Sequence, residues 1–314
     1  MKVSKNNGGV TLKKIKLGRS DLNVSEIALG CMRMDKLNLD DAAEVIETAY
    51  NEGINFYDHA DIYGKGESEK RFSESLKKTS IKREDILLQS KAGIRSGFYD
   101  FSKNHIIKTV EESLARLDTD YLDVLLLHRP DALVEPEEVA EAFDHLHSTG
   151  KVRHFGVSNH SPLQIDLLKK FVDQELVTNQ LQYSVMHTGM VDAGIHVNTK
   201  NPLSLDHDRA ILDYSRLNDM TVQPWSPVHG EKGVFLNNPE YKEVNDKLTE
   251  IGEKYGIDNE AMAIAWLLRH PAKMQVILGT MTPERIKNYS KASGVTITRE
   301  EWYSIYRAAG NQVP

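Results

Sequence analysis

Short apolar runs alternate with amphipathic segments along nearly the whole chain, and this alternation restricts the fold more than any other feature. Segment 40–51 shows the helical type, because Ala42, Val45, Ile46 and Ala49 share one face. Strands that are buried on both faces and joined by helices predict parallel βαβ units. Eight runs have the length and composition of such strands: 26–30, 54–58, 86–91, 121–128, 152–158, 177–183, 221–225 and 275–279.

Eight successive units predict a closed (β/α)8 barrel, the TIM-barrel fold, with a doubly wound open sheet as the alternative. A hairpin at 12–24 is expected before the first strand, and an extra helix at 299–309 after the last unit. No composition shift or Pro-, Gly- or Ser-rich linker divides the chain. We therefore predict one domain over residues 1–314, with residues 1–10 as a flexible start.

Composition excludes several classes of protein. The chain carries 39 basic and 46 acidic residues, so its formal net charge of −7 argues against a nucleic-acid partner. One cysteine, Cys31, excludes an intrachain disulfide, and its apolar neighbours favour a packed thiol over a nucleophile. The polar start lacks the apolar stretch of a signal peptide, and no run approaches the length of a membrane span. A soluble cytoplasmic protein without a membrane partner is expected; the sequence gives no indication of oligomeric state.

Ionisable residues stand where three neighbouring strands end. Asp58 ends strand two and is followed by Tyr63, Lys91 ends strand three, and His128 ends strand four. The carboxyl ends of barrel strands share one mouth, where active sites of this architecture lie. Asp58 and Lys91 can pair there, and a buried ammonium near a phenol stabilises phenolate and lowers the tyrosine pKa. This arrangement predicts that Tyr63 is a proton donor at neutral pH.

Simpler explanations exist for each of these residues alone. A strand-end Asp–Lys pair is often structural, and a lone histidine at a strand end is more often hydrogen-bonded than catalytic. The convergence of all four at one mouth favours an active site. His59, Asp61 and His128 could instead hold a metal, as in a barrel hydrolase. Strand one ends without the His-x-His of many such enzymes, so no metal site is predicted.

Taken together, these residues resemble the aldo-keto reductases, which are NADPH-dependent carbonyl reductases built on a (β/α)8 barrel. The segment Asp58 to Tyr63 matches the family's Asp-x-Ala-x-x-Tyr motif, and Lys91 and His128 match its catalytic Lys and His in order and strand context. The resemblance covers roughly residues 12–309. It implies that Tyr63 protonates the carbonyl oxygen while Lys91 lowers its pKa. It also implies that Asp58 holds Lys91, and that His128 orients the carbonyl.

The same resemblance implies a set of cofactor contacts. Ser158, Asn159 and Gln180 would hold the nicotinamide carboxamide, and Trp225 with Ser226 stands where the family stacks an aromatic ring on the nicotinamide. Without the resemblance, the Ser, Asn and Gln residues would be interpreted as ordinary turn residues and Trp225 as a core residue. The segment 282–285 is expected to begin the helix that follows strand eight, and the free N–H groups and dipole of that helix favour a phosphate. Gly279, Thr280 and Arg285 are the candidate contacts there.

This chain departs from the family pattern at several positions. Many members have a lysine that grips the adenosine phosphate where this chain has Gly279, and Asn288 and Tyr289 replace the common Glu and Asn. Segment 187–206 is long and polar, and it is either a lid or a loose surface insertion. Arg33, Phe98 and Tyr99 are the candidate substrate-pocket residues.

We therefore predict an oxidoreductase that reduces a small aldehyde or ketone with NADPH, with NADH as an alternative cofactor. A cofactor-sensing regulatory subunit with little turnover is a second hypothesis, because such members of the superfamily can keep all four residues. A metal-dependent hydrolase is the third.

Overall fold

The computed structural model describes residues 12–313, and the predicted flexible start at 1–10 lies outside the described residues. The barrel strands are β1 (Ile27–Gly30), β2 (Phe56–Asp58), β3 (Leu87–Ala92), β4 (Leu122–Leu127), β5 (Val152–Ser158), β6 (Leu176–Gln182), β7 (Thr221–Trp225) and β8 (Val276–Leu278). They are parallel and form one sheet in the order β7-β6-β5-β4-β3-β2-β1-β8, which confirms the predicted (β/α)8 barrel. The Gln275 backbone N–H donates to the Val222 carbonyl over 3.1 Å and joins the two ends of the sheet.

The helices surround this sheet, and all six residues of β4 are buried between the helices and the barrel interior. Several helices begin with a capping side chain or a proline. The Ser102 hydroxyl accepts from the His105 N–H, and Pro136 and Pro162 each stand in the first turn of a helix. The helices are α1 (Leu39–Asn51), α2 (Glu67–Leu76), α3 (Lys103–Leu117), α4 (Pro136–Ser148), α5 (Pro162–Lys169), α6 (Gly189–Ile195), α7 (Ile211–Leu217), α8 (Lys242–Tyr255), α9 (Asn259–Leu268), α10 (Pro283–Ser290) and α11 (Arg299–Ala308).

The predicted hairpin closes the amino-terminal end of the barrel. Its strands, Lys14–Lys16 and Asn23–Ser25, pair antiparallel, and Leu17, Leu22 and Val24 pack into the barrel's inner apolar cluster. Gly18 has φ +55°, and a Cβ there would lie 2.3 Å from the Val177 carbonyl oxygen. The turn can therefore approach β6 this closely only with glycine. Because the hairpin covers this end, the polar side chains inside the barrel face solvent at the opposite mouth.

Segment 187–206 is partly anchored. It contains α6, whose Met190 and Val191 are buried in the main core. The Tyr306 hydroxyl on α11 donates to the Asp192 carboxylate over 2.5 Å, and Thr188 donates to the other oxygen of Asp192 over 3.0 Å. The first half of the segment is therefore fastened to the last helix.

No helix in the span from 12 to 313 has both the length and the apolar character needed to cross a membrane. Cys31 is fully buried, as the sequence predicted, and burial raises the pKa of its thiol well above the usual value. A thiol held in this protonated state is a poor nucleophile.

Candidate active site

Four polar side chains from successive strand ends meet at the open mouth. Asp58 is the last residue of β2, Lys91 is the second-to-last residue of β3, and His128 directly follows β4. Tyr63 stands in the turn after β2. We refer to Asp58, Tyr63, Lys91 and His128 as the tetrad. The structure thus brings together all four residues that the strand-end pattern singled out.

Lys91 is the centre of the tetrad, and it is completely buried. Its Nζ donates to both Asp58 carboxylate oxygens over 2.7 and 2.8 Å, and to the His59 carbonyl over 2.8 Å. Burial alone would lower the pKa of Lys91, but the charges and hydrogen bonds of Asp58 and Tyr63 together outweigh it and raise this pKa above the usual value. Lys91 is therefore an ammonium, and its charge is compensated inside the barrel.

Tyr63 reaches this ammonium through its hydroxyl, which accepts from Lys91 Nζ over 3.2 Å. The turn that carries it has Gly64 and Lys65 in the left-handed region, with φ 56° and 57°. Burial raises the pKa of Tyr63 above its usual value, although Lys91 opposes the rise. Lys91 does lower the pKa of Tyr63, as the sequence predicted, but burial raises this pKa by more. Tyr63 therefore carries its proton at neutral pH.

His128 is a neutral imidazole at the same mouth. Burial, together with the charges of Lys91 and Arg129, lowers the pKa of His128 to about 2. Its ring lies 6.1 Å from the Tyr63 ring, centroid to centroid, with an interplanar angle of 83°. Its Nδ1 is buried and meets no hydrogen-bond partner among the described residues. A neutral imidazole can still donate one N–H hydrogen bond to a ligand oxygen.

A cavity of about 680 Å³ opens beside the tetrad. Its walls come from the ends of β1, β2, β4, β5, β6, β7 and β8 and from the start of α10. This volume is in the range of small-molecule and cofactor sites. The predicted cofactor and substrate residues that line it are Arg33, Ser158, Asn159, Gln180, Trp225, Ser226, Gly279, Thr280 and Arg285.

Residues at the carboxyl ends of β5 and β7 form one hydrogen-bonded group on this wall. Asn159 has φ 60°, its Nδ2 donates to Ser158 Oγ over 2.8 Å, and its Oδ1 accepts from the Trp225 indole over 3.2 Å. Ser158 Oγ in turn donates to the Gln180 carbonyl over 3.0 Å. Backbone geometry and these contacts fix the amide of Asn159 and the plane of Trp225 before any ligand binds.

The far end of the cavity lies at the start of α10. Arg285 is 59% exposed, and its Nε lies 3.9 Å from the largely buried carboxylate of Glu260. Gly279 has no side chain, but a Cβ there would be 3.2 Å from Arg33 Nη1, which donates to the Gly279 carbonyl over 2.7 Å. Arg33 thus supplies a cation beside the position where the sequence lacks one, a contact that sequence analysis did not anticipate.

Two predicted substrate residues lie elsewhere. Phe98 and Tyr99 form one strand of a short hairpin after β3, and they are 55% and 43% exposed. Neither lines the cavity, whereas Ile94 on the opposite strand of this hairpin does. Both rings face solvent, and the Arg95 guanidinium lies 5.4 Å from the centroid of the Phe98 ring.

Sequence reasoning also missed three residues near the tetrad. Gln89 and Gln223 are fully buried inside the barrel, and Arg129 lines the cavity next to His128. The spacing of Gln89 two residues before Lys91 was an available signal, because both then face the same side of β3. Over residues 12–313, no three or more His, Cys, Asp or Glu side chains are grouped so that they could hold a metal ion.

A model of the aldo/keto reductase family matches residues 26–309. The chain is 35% identical to oxidoreductase YdhF of Escherichia coli, over 96% of this chain and all of that protein. It is 37% identical to a 6-dehydroglucose reductase of Agrobacterium fabrum, over 84% of this chain and 86% of that protein.

One similar solved structure is an aldo-keto reductase of Klebsiella pneumoniae in complex with NADPH. It superposes with a TM-score of 0.74 at 22% identity, and the alignment covers 96% of this chain and 97% of that one. At this identity the likeness establishes the fold alone.

Proposed function

Because this chain belongs to the aldo/keto reductase family, we propose that it reduces the carbonyl of a small aldehyde or ketone to an alcohol with NADPH. The observation that carries the proposal is the buried chain Asp58–Lys91–Tyr63 at the base of the cavity. A carboxylate, an ammonium and a protonated phenol in series suit proton delivery to an oxygen that becomes negative as the carbonyl is reduced.

Tyr63 is the proposed general acid. It holds its proton at neutral pH because burial raises its pKa, so the proton is present when a substrate arrives. When the proton leaves, the phenolate forms 3.2 Å from the Lys91 ammonium, which stabilises the new charge. Asp58 keeps the ammonium in place through two short hydrogen bonds.

His128 is the proposed orienting group. Its lowered pKa keeps the imidazole neutral, so it donates a hydrogen bond to the carbonyl oxygen without competing as an acid. Its edge-to-face placement against Tyr63 lets both groups address a single oxygen. Two donors aimed at one oxygen hold the carbonyl in the geometry that reduction requires.

The residues present fit a nicotinamide dinucleotide. The cavity runs from the tetrad, past the fixed Asn159 amide and Trp225, to the start of α10. Asn159, Ser158 and Gln180 would bind the carboxamide, Trp225 and Ser226 would face the nicotinamide, and Thr280 with the first amides of α10 would bind phosphate. When bound, the cofactor supplies the hydride.

The preference for NADPH over NADH rests on charge at the far end of the cavity. Arg285 is exposed beside the amino terminus of α10, where a guanidinium can bind the additional phosphate through two hydrogen bonds. Arg33 adds a second cation next to Gly279. Glu260 competes for Arg285, so we expect a moderate preference.

Oxidation of NADPH, followed by absorbance over many turnovers with a panel of aldehydes and ketones, tests the proposal. We expect steady turnover with at least one carbonyl compound and a strong loss in Tyr63→Phe. The alternative, a regulatory subunit, predicts tight NADPH binding and no more than a single turnover with every compound.

A further inference from the structure

Arg129 stands on an anchored piece of backbone beside the tetrad. The His128 N–H before it donates to the Ala92 carbonyl over 2.9 Å, and the His128 carbonyl accepts from Asn159 Nδ2 over 3.4 Å. Pro130 follows, and a residue before proline is strongly biased towards an extended backbone. The side chain of Arg129 therefore starts from a fixed point next to the imidazole that the proposed reaction uses.

The guanidinium of Arg129 belongs to the cavity. Arg129 is an exposed residue that lines the same cavity as Tyr63 and His128. Its Cζ lies 6.0 Å from the centroid of the Trp225 ring on the cavity wall. A substrate whose carbonyl meets Tyr63 and His128 therefore shares this cavity with a cation that plays no part in proton transfer.

The carboxylate nearest to Arg129 along the chain is used elsewhere. Asp131 Oδ2 accepts from the Phe101 N–H over 3.0 Å, and Asp131 Oδ1 accepts from the Leu133 N–H over 2.8 Å. Within residues 12–313, the Arg129 guanidinium forms no hydrogen bond or ion pair, and its neighbour is the Trp225 ring. The loop after β4 thus holds its own acid away from its cation.

The charges around the cavity leave Arg129 uncompensated. Five charged residues of the described chain line the cavity: Arg33, Asp58, Arg129, Glu260 and Arg285. Asp58 binds the buried Lys91 over 2.7 Å. Glu260 lies 3.9 Å from Arg285 at the far end, where Arg33 donates to the Gly279 carbonyl. Both carboxylates therefore already face cations, and the free positive charge at the tetrad end favours an anionic group of a ligand.

The remaining side chains at this end are apolar. Met32, Ile62 and Ile94 follow β1, β2 and β3 and line the cavity. One guanidinium matches a planar carboxylate through two parallel hydrogen bonds, whereas a phosphate monoester carries about two charges and would be only half compensated. This end of the cavity therefore fits a substrate with an apolar body and one carboxylate.

We propose that Arg129 binds a carboxylate of the substrate, so that the chain reduces oxo acids, which are aldehydes or ketones that carry a carboxylate, in preference to their neutral counterparts. This inference rests on the proposed function, because it names the substrate class of the same site. In the reduction, the carbonyl carbon gains a hydride from NADPH, which is left as NADP⁺, and the carbonyl oxygen gains the Tyr63 proton. The carboxylate is unchanged, so its contact with Arg129 acts mainly on KM.

Two pairs of aldehydes test the proposal. 4-Formylbenzoate and 4-formylbenzamide have nearly the same shape and differ in charge, and the 3-formyl pair shortens the spacing between carbonyl and carboxylate. In the parent protein, kcat/KM should be about tenfold higher for the acid than for the amide in at least one pair, as expected for a hydrogen bond to a charged group. Most of the difference should lie in KM, and it should shrink as ionic strength rises.

Arg129→Gln removes the charge and keeps a polar side chain of similar reach. Because Arg129 is exposed and makes no hydrogen bond or ion pair within residues 12–313, the variant should fold like the parent. Its ratio of kcat/KM for acid over amide should fall towards one. Arg129→Lys keeps the charge but not the planar fork, so its ratio should lie between those of the parent and Arg129→Gln.

Arg95→Gln is the matched control. Arg95 is also an exposed arginine near the mouth, but its guanidinium faces Asp100 at 3.3 Å and the Phe98 ring, and it does not line the cavity. Removing this charge should leave the parent's ratio unchanged. A fall of the ratio in Arg95→Gln as large as that in Arg129→Gln would show a general effect of surface charge and would overturn the proposal.

Other outcomes also overturn the inference. A folded Arg129→Gln protein with the parent's ratio does so, and a loss of NADPH affinity in that protein would then assign Arg129 to the cofactor. A parent that turns over other carbonyl compounds but shows no preference for the acid in either pair, whether it reduces both members or neither, overturns the inference alone. If the parent turns over no carbonyl compound, the proposed function itself fails.

Discussion

Tyr63 is subject to two opposed influences, and their balance sets its chemistry. Burial keeps the phenol protonated, while the Lys91 ammonium at 3.2 Å lowers the cost of releasing that proton. A phenol with only the first influence would be inert, and one with only the second would lose its proton too early. The pairing of Lys91 with Asp58 is therefore part of the acid's function.

Removing the Tyr63 hydroxyl tests this balance. Tyr63→Phe keeps the ring, so NADPH binding should be nearly unchanged, while turnover should fall about 10²–10⁴-fold, the usual contribution of general acid catalysis. Steady-state kinetics with dissociation constants would measure both. Tyr99→Phe, an exposed tyrosine outside the cavity, is the control and should behave like the parent. Turnover near the parent's in Tyr63→Phe would rule out this role.

Lys91→Met tests the ammonium. The pKa of Tyr63 should rise further without this charge, and reduction requires the protonated phenol. The alkaline loss of activity should therefore move to higher pH, while the rate at neutral pH falls. The unpaired Asp58 should also cost about 3–5 kcal/mol of stability.

A double variant separates the two effects of Lys91→Met. Asp58→Asn together with Lys91→Met removes the stranded carboxylate, so thermal stability should recover while activity stays low. Melting curves and pH–rate profiles of both variants provide the comparison. Recovery of activity in the double variant would show that Lys91 has only a structural role.

Local spacing explains which residues the sequence could predict. Asp58, Lys91 and His128 each stand at the end of a predicted strand, so their convergence follows from the barrel. Arg33 and Gly279 are separated by 246 positions, so no local sequence pattern predicts the hydrogen bond between them. Gln223 looks like any polar residue within a strand until Gln89 and Gln180 are seen to donate to it.

At the scale of elements, two parts of the fold line the cavity: the carboxyl ends of the strands at one end and the start of α10 at the other. The strand ends carry the tetrad, and α10 offers free N–H groups with the positive end of its dipole. The eight predicted strands agree with the observed ones within two residues at each end, because each is a short buried run. Helix α6 was not predicted, since Gly189, Gly194 and its polar neighbours obscure the helical period.

The start of α10 can be tested through cofactor choice. Arg285→Ala should weaken NADPH binding roughly three- to tenfold and NADH binding little, because only NADPH carries the additional phosphate. Glu260→Gln is the informative partner, since it frees Arg285 from its carboxylate and should tighten NADPH binding alone. The four pairs of dissociation constants should be measured at one ionic strength. Equal weakening of both cofactors in Arg285→Ala would assign Arg285 to the shared pyrophosphate.

At the scale of the whole molecule, the barrel buries titratable groups in their neutral forms. Burial lowers the pKa of His59 to about 3, of His128 to about 2, and of His160 and His270 to about 4. The unfolded chain would protonate all four near the ordinary value of about 6.5. Their stabilising contribution is therefore complete above that value, and it is lost as the pH falls towards the folded values. Asp61 opposes them, because burial raises its pKa to about 7 and its folded form gains stability as the pH falls.

Acid should thus destabilise the protein well before its carboxylates are protonated. Four histidines opposed by one carboxyl leave an uptake of about three protons on unfolding, or at most about 4 kcal/mol per pH unit between about pH 6 and 4. His59→Leu removes one of these titrating groups and breaks no side-chain hydrogen bond. The His59 ring packs on Phe72, and both its nitrogens lack partners among the described residues. The slope of the unfolding free energy against pH, from urea titrations, should fall by about 1.4 kcal/mol per unit in that variant. His145→Gln, at an exposed position on α4, should leave the slope unchanged. If both variants keep the parent's slope, His59 titrates alike in the folded and unfolded chains, and burial does not hold it neutral.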